Sequence, residues 1–142
     1  MTVSTQTQFD APRKKVWEIL TNGKYTKQYM FGCEPQTNWE KGSELLWKDP
    51  NGKVLVKGKI VEIEKGSKLH YTTFDPNAGL EDTAENYMLV TCDLVGQGNF
   101  CLLKVTQGNF SGAEDAQKRF KECEQGWQYV FDGMRKLLTD QL

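Results

Sequence analysis

Residues 118–138, KRFKECEQGWQYVFDGMRKLL, place apolar side chains three or four positions apart. Charged and amide side chains occupy most of the other positions, and the apolar set is Phe120, Cys123, Trp127, Val130, Phe131, Met134, Leu137 and Leu138. This spacing predicts an amphipathic helix from about residue 113 to residue 140. An aromatic stripe of this width needs a large apolar surface to cover, which the rest of the chain has to supply.

The middle of the chain predicts that this surface is a β-sheet. Residues 37–107 contain strand-like runs, separated by short segments rich in glycine, asparagine and proline. The predicted strands are 37–40, 43–48, 53–64, 67–74, 85–95 and 99–107, and the alternation of Val3–Phe9 adds one more at the start. Because the links are too short for parallel crossovers, we expect one antiparallel sheet of seven strands.

Two short helices are predicted between the first two strands. The segment 10–12, Asp-Ala-Pro, combines a capping carboxylate on Asp10 with a proline in the first turn, and apolar residues follow at helical spacing. A helix is therefore expected over residues 12–21, ending at Asn22-Gly23. Residues 24–31 predict a second, shorter helix before Gly32.

Length and charge limit the classes of function. A chain of 142 residues has the length of a single domain, which we expect to span residues 1–142. Eighteen basic and nineteen acidic side chains leave a net charge of -1, without a long block of either sign. The attraction that draws proteins to nucleic acids or to anionic membranes is therefore missing, and neither is expected as a partner.

Cysteine usage and hydropathy predict a cytoplasmic protein. No run of residues approaches the roughly twenty apolar positions needed to cross a bilayer, and the N-terminus does not read as a signal peptide. The four cysteines are widely spaced, and a single histidine accompanies them. We therefore expect reduced thiols, no metal site and no cofactor.

The order of the elements and several short motifs resemble one known superfamily. The matching segments are Phe9-Asp10-Ala11-Pro12, Phe31-Gly32, Trp39-Glu40-Lys41-Gly42, Gly58, Val61-Glu62-Ile63, Leu69-His70-Tyr71-Thr72 and Gly126-Trp127. They resemble the SRPBCC (START-like, Bet v 1-like) superfamily, in particular the branch of activator of Hsp90 ATPase homologues. The resemblance implies the helix-grip fold. In this α+β fold a curved seven-stranded antiparallel sheet, two short helices and a long C-terminal helix surround a cavity.

The resemblance also implies which side chains line that cavity. The inward sets predicted as ligand-binding residues are Trp47, Tyr71, Thr73, Met88, Val90, Leu103, Val105, Gln107, Trp127, Phe131 and Met134. Such an apolar lining suits a small apolar ligand that Tyr71, Thr73 or Gln107 orients. The same side chains are equally suited to filling a solid core. Gly126 is expected to let the final helix approach its neighbours closely.

Catalytic groups are not brought together by any pattern in the sequence. The period of two in its strand puts His70 on the face opposite Leu69 and Tyr71. Because the resemblance implies that those two residues face inward, His70 is expected to point away from the cavity. Glu62 and Asp93 are candidates for acid–base chemistry, but we expect both to face solvent. A redox function of the cysteines is not supported by the sequence either. A two-residue turn at 96–97 would place Cys92 opposite Cys101 as a conceivable redox pair, whereas a longer turn would separate two cysteines that pack as small hydrophobes.

Two functions follow from these patterns. The first is a non-catalytic domain that holds a small hydrophobic or amphipathic ligand between the C-terminal helix and the sheet. The second, implied by the resemblance, is a protein-interaction domain similar to Hsp90 co-chaperones, with a chaperone partner and a role in the stress response. A cyclase- or hydrolase-type enzyme ranks third, and either a monomer or a homodimer is compatible with the sequence.

Overall fold

Segments with alternating inward and outward side chains form a seven-stranded sheet. The computed structural model describes residues 1–141. The strands are β1 (Val3–Phe9), β2 (Glu34–Gln36), β3 (Glu44–Lys48), β4 (Val54–Glu64), β5 (Lys68–Thr73), β6 (Met88–Val95) and β7 (Cys101–Gly108). The helices are α1 (Arg13–Thr21), α2 (Gly23–Tyr29) and α3 (Ala116–Gln141), and a short 3-10 turn spans Ala84–Asn86. Every strand pair is antiparallel, as the sequence predicts, and the strand order is β1-β7-β6-β5-β4-β3-β2.

Helix α1 begins directly after Pro12, close to its predicted start. The Pro12 carbonyl accepts hydrogen bonds from the N–H groups of Lys15 and Val16, at 3.0 and 3.2 Å. Asp10 is exposed and caps nothing, so the prediction of a capping carboxylate is wrong. Helix α2 does have a side-chain cap, because Asn22 Oδ1 accepts a hydrogen bond from the Lys24 N–H at 2.9 Å.

The prediction of a strand over residues 37–40 is wrong. Strand β2 lies just before that segment, where Pro35 pairs with Trp47 of β3. Trp39 has a φ of +56°, in the left-handed region that strand residues do not adopt. Residues 37–43 form a turn instead, in which the Ser43 hydroxyl donates to the Glu40 carbonyl at 2.6 Å. We call this segment the 37–43 turn.

A bulge in β4 adjusts which residues face inward. Ile60 pairs with Tyr71 and Glu62 pairs with His70. Val61 therefore has no paired residue on β5 and forms the bulge. The extra residue lets Ile60 and Ile63, three positions apart, both face the interior side of the sheet.

The connection between β6 and β7 is longer than two residues. Strand β6 ends at Val95, which pairs with Leu102, and β7 begins at Cys101, so residues 96–100 form the loop. Cys92 therefore lies opposite Val105, whereas Cys101 lies opposite Phe9 of β1. Both cysteines are free and buried, so the register separates the conceivable redox pair.

Helix α3 covers the sheet with the predicted stripe. Among the described residues its buried side chains are Trp127, Val130, Phe131, Met134, Leu137 and Leu138. Gln128 donates to the Thr5 hydroxyl at 3.0 Å, and Arg135 donates to Thr7 and to the Gln8 carbonyl, which fastens α3 along β1. No helix within residues 1–141 is long and apolar enough to cross a bilayer.

The glycine that allows close helix packing is Gly133 and not Gly126. A Cβ atom built on Gly133 would lie 2.5 Å from the Cβ of Tyr29 on α2, a separation that atoms cannot adopt. A Cβ built on Gly126 would meet nothing within 4 Å. The expectation for Gly126 is therefore wrong, because α2 crosses α3 two helical turns further along.

Candidate functional site

Five of the predicted ligand-binding residues form the deepest layer between α3 and the sheet. Each is at most 1 % exposed, and they are Val90, Leu103, Val105, Phe131 and Met134. Protein atoms surround these side chains on every side, so they pack as core. A ligand beneath α3 would rest above this layer and not within it.

A second group is half-buried and lies at one end of the sheet. Thr73 pairs with Met88, and Gln107 pairs with Val90 beside it, so these predicted residues share the inner face near the ends of β5, β6 and β7. Val56 of β4 and Cys123 of α3 are half-buried apolar residues that pack against the same core. We call Val56, Thr73, Met88, Gln107 and Cys123 the rim.

Sequence reasoning did not include two of the rim residues, although signals for both exist. Val56 stands two positions before Gly58 and four before Ile60, so the strand period assigns it to the inner face. Cys123 stands four positions before Trp127 on the apolar stripe of α3. Both signals become informative once the structure shows which residues of the inner face are only half-buried.

Three aromatic residues lie between the rim and the deepest layer. Trp47, Tyr71 and Trp127 are 7 %, 5 % and 6 % exposed, and the ring centroids of Trp47 and Tyr71 are 6.2 Å apart. The Trp127 indole donates a hydrogen bond to Gln107 Oε1 at 2.8 Å. Gln107 is therefore oriented by α3, and its amide NH2 group remains available at the rim.

Tyr71 differs from the other buried tyrosine, Tyr29, in its hydrogen bonding. The Tyr29 hydroxyl donates to the Ile19 carbonyl at 2.6 Å. The Tyr71 hydroxyl has no hydrogen-bond partner within residues 1–141, yet no fully buried side-chain oxygen or nitrogen there lacks a partner. The Tyr71 oxygen must therefore reach space large enough for a water molecule. The same holds for the Trp47 indole N–H, which also donates a hydrogen bond to no described residue.

Burial keeps the Tyr71 hydroxyl protonated. Desolvation raises its pKa well above the ordinary value for tyrosine, and the neighbouring Cys92, Tyr29 and Cys123 raise it further. A protonated phenol and the indole N–H of the neighbouring Trp47 are both hydrogen-bond donors without a partner among the described residues. This arrangement can bind an acceptor group, such as a carbonyl oxygen, without any chemical reaction.

The histidine and the carboxylates of the sheet lie outside this site. His70 is on the outer face of β5, where its Nε2 lies 3.0 Å from Asp93 Oδ1. Glu62 also faces outward and lies 3.7 Å from the amine of Lys41. The predictions that His70 points away from the interior and that Glu62 and Asp93 face solvent are confirmed. Within the described part of the chain, no three His, Cys, Asp or Glu side chains are grouped as metal ligands.

The buried Cys92 and Cys101 and the half-buried Cys123 are not activated as nucleophiles. Burial raises the pKa of Cys92 to about 12 and the pKa of Cys101 and Cys123 to about 11. At neutral pH these groups stay thiols, the form that neither attacks carbon nor binds metal. They fill space as small apolar side chains.

Comparison with known families decides the relationship that the motifs suggest. Residues 10–139 match the family model of activator of Hsp90 ATPase homolog 1-like protein. The chain belongs to this family. Membership in the activator of Hsp90 ATPase homologue family confirms the resemblance seen in the sequence, and the observed architecture confirms the helix-grip α+β fold.

Solved structures of similar proteins share this fold. Protein ChR145 from Cytophaga hutchinsonii is 33 % identical, with a TM-score of 0.80 over 99 % of this chain and 95 % of its own. Protein MLL2253 from Mesorhizobium loti is 21 % identical, with a TM-score of 0.79 over 99 % and 98 %. PFC0360w from Plasmodium falciparum, described as an HSP90 activator, is 18 % identical, with a TM-score of 0.73 over 98 % and 96 %. Among curated proteins, none matches the chain.

Proposed function

We propose that the chain is a non-catalytic, single-domain binding protein for a small apolar or amphipathic molecule. The ligand enters at the rim and lies between α3 and the inner face of the sheet. One observation carries the proposal: the Tyr71 hydroxyl is nearly buried, has no partner within residues 1–141 and still reaches water-sized space. An unpaired buried hydroxyl costs stability, so a ligand that accepts its hydrogen bond recovers free energy.

The polarity around Tyr71 indicates the chemistry of the ligand. Val56, Met88 and Cys123 supply apolar area, whereas Tyr71 and Trp47 supply donors. Sites of this kind bind an apolar body and orient it by one or two polar contacts. The expected ligand therefore has an apolar ring or short chain and a single acceptor, such as a ketone, an ester or an amide carbonyl.

The substitution Tyr71→Phe tests this proposal with prodan, an aromatic ketone whose fluorescence reports the polarity around its carbonyl. We expect saturable binding of prodan to the unchanged protein, with a blue-shifted emission. Tyr71→Phe is expected to weaken binding about fivefold, since one hydrogen bond is worth about 1 kcal/mol. Fluorescence titration measures both dissociation constants.

The matched control is Tyr29→Phe, which removes a buried hydroxyl that already has a partner. This change leaves the Ile19 carbonyl unpaired, so it should lower the free energy of unfolding by about 1–3 kcal/mol without altering the affinity for prodan. Tyr71→Phe should leave the free energy of unfolding unchanged or slightly raised. Equal prodan affinity in Tyr71→Phe and the unchanged protein, or no saturable binding at all, would refute the proposal.

A second candidate function is interaction with a chaperone of the Hsp90 type. Phe31 and Tyr129 stack with ring centroids 5.4 Å apart although they are 64 % and 59 % exposed. Exposed aromatic pairs are typical of protein contact surfaces. A pulldown with the cognate Hsp90 and an assay of its ATPase test this function. We expect Tyr129→Ala to weaken binding, and the absence of both binding and stimulation by the unchanged protein would exclude this candidate.

We also propose a cytoplasmic location. All four cysteines are free, and Cys33, Cys92 and Cys101 are buried as thiols. A reducing compartment keeps such thiols from oxidation before the chain has folded.

A further inference from the structure

A cleft of about 640 Å³ lies away from the rim, between α1 and the end of β4. Its walls include Trp17 of α1, Trp39 of the 37–43 turn and Ile63 of β4. Ile63 stands seven residues along β4 from the rim residue Val56, a separation of roughly 23 Å in an extended strand. The cleft is therefore distinct from the space beneath α3, and its volume is in the range of small-molecule sites.

Two tryptophans supply the apolar part of this cleft. Trp17 is 8 % exposed, and its indole N–H donates to no residue within 1–141. Since no fully buried nitrogen there lacks a partner, this N–H keeps some accessible surface, and Trp17 is one of the residues that line the cleft. Trp39 is half-buried on the other side of the cleft.

The backbone holds Trp39 in a conformation that a bulky residue rarely adopts. Its φ of +56° is in the left-handed region, which costs free energy for a residue with a large side chain. The Trp39 N–H donates to the Thr37 hydroxyl at 3.4 Å, and that hydroxyl lies 3.1 Å from the Ser43 hydroxyl. These hydrogen bonds hold the backbone of the 37–43 turn, from which the Trp39 indole extends to the cleft.

The charges around the cleft favour an anion. Lys14 and Lys65 line it, both are exposed, and neither amine forms an ion pair with any carboxylate of the described chain. Glu18 also lines the cleft, but its carboxylate lies 3.9 Å from the amine of Lys15. The cleft thus has two unpaired ammonium groups and one partly neutralised carboxylate.

We propose that this cleft binds a planar aromatic carboxylate, with its ring against Trp17 and Trp39 and its carboxylate near Lys14 and Lys65. The indole N–H of Trp17 is a further donor for the carboxylate. Aromatic rings gain affinity by packing against indoles, and the two ammonium groups distinguish the acid from its neutral relatives. This site does not depend on the ligand proposed beneath α3.

Titration with 2-naphthoate, followed through the indole N–H signals of the four tryptophans in ¹⁵N–¹H spectra, tests the proposal. We expect the signals of Trp17 and Trp39 to move together with one dissociation constant, which gives the affinity of the cleft. Any shift of Trp47 and Trp127 reports binding beneath α3 and should follow a different dissociation constant. The uncharged relative 2-naphthamide should bind three- to tenfold more weakly, because exposed charge pairs each contribute little and two are lost.

Substitution of the two lysines separates the charge contribution from the apolar contacts. The double variant Lys14→Met, Lys65→Met should bind 2-naphthoate three- to tenfold more weakly and leave the affinity for 2-naphthamide unchanged. Lys59→Met is the matched control, since Lys59 is an exposed lysine on the outer face of β4 and should change neither affinity. The proposal is overturned by equal affinity for acid and amide, by shifts at Trp47 and Trp127 instead, or by no saturable shift at Trp17 and Trp39.

Discussion

The substitution Trp127→Ala is expected to lower the free energy of unfolding by about 3–5 kcal/mol. The indole is 6 % exposed, packs 6.0 Å from the Phe131 ring and donates to Gln107. Alanine removes the apolar contacts and also leaves Gln107 Oε1 without its partner. Equilibrium unfolding in urea measures the loss, provided that the m value, the dependence of the free energy of unfolding on urea concentration, is the same in both proteins.

One further variant separates the contributions of the Trp127 ring and its N–H to stability, and another is a surface control. Trp127→Phe keeps most of the apolar volume and loses the donor, so its cost should be smaller than that of alanine. Tyr129→Ala, two residues along on the exposed side of α3, should change the free energy of unfolding by less than about 0.5 kcal/mol. A loss below about 1.5 kcal/mol in Trp127→Ala would contradict close packing of the indole and would favour a wider space beneath α3.

The substitution Gly133→Ala is expected to destabilise the protein by about 1–3 kcal/mol, although alanine is the better helix former. The new Cβ atom would overlap the Cβ of Tyr29, so α2 and α3 would have to move apart. The Tyr29 hydroxyl bond to Ile19 would then be strained as well. Thermal and urea unfolding of the variant measure the effect.

The opposite sign is expected for Gly126→Ala in the same helix. Nothing lies within 4 Å of the position of its Cβ, so the variant gains helix propensity worth about 0.5–1 kcal/mol. A stabilising Gly133→Ala, or two variants with equal effects, would contradict the close crossing of α2 and α3.

Periodic signals in the sequence predicted most of the fold. The stripe from Phe120 to Leu138 and the alternation of Leu69, Tyr71 and Thr73 each assign a side to every residue, because burial on one face selects for that period. These signals are local, and the observed helix and strand faces follow them. The outward orientation of His70 follows from the same period once the resemblance places Leu69 and Tyr71 on the inner face.

Features that depend on distant parts of the chain could not be predicted. Gly126 and Gly133 look alike in the sequence, and only the path of α2 decides which of them lies at the crossing. The partner of Cys92 depends on the length of the loop after Val95, which glycines alone do not determine. The unpaired hydroxyl of Tyr71 is a property of the packed interior, so no pattern in the strand distinguishes it from a satisfied tyrosine.

Two features protect the edges of the sheet against pairing with strands of other chains: the contact of α3 with β1, and the shortness of β2. An open sheet has two edge strands, whose free backbone groups invite strand addition and aggregation. Arg135 occupies the Gln8 carbonyl on the β1 edge, while β2 has three residues and includes Pro35, which has no N–H to donate. Extension of the sheet by another chain is disfavoured at both edges, so we expect self-association and partner binding to use side-chain surfaces instead.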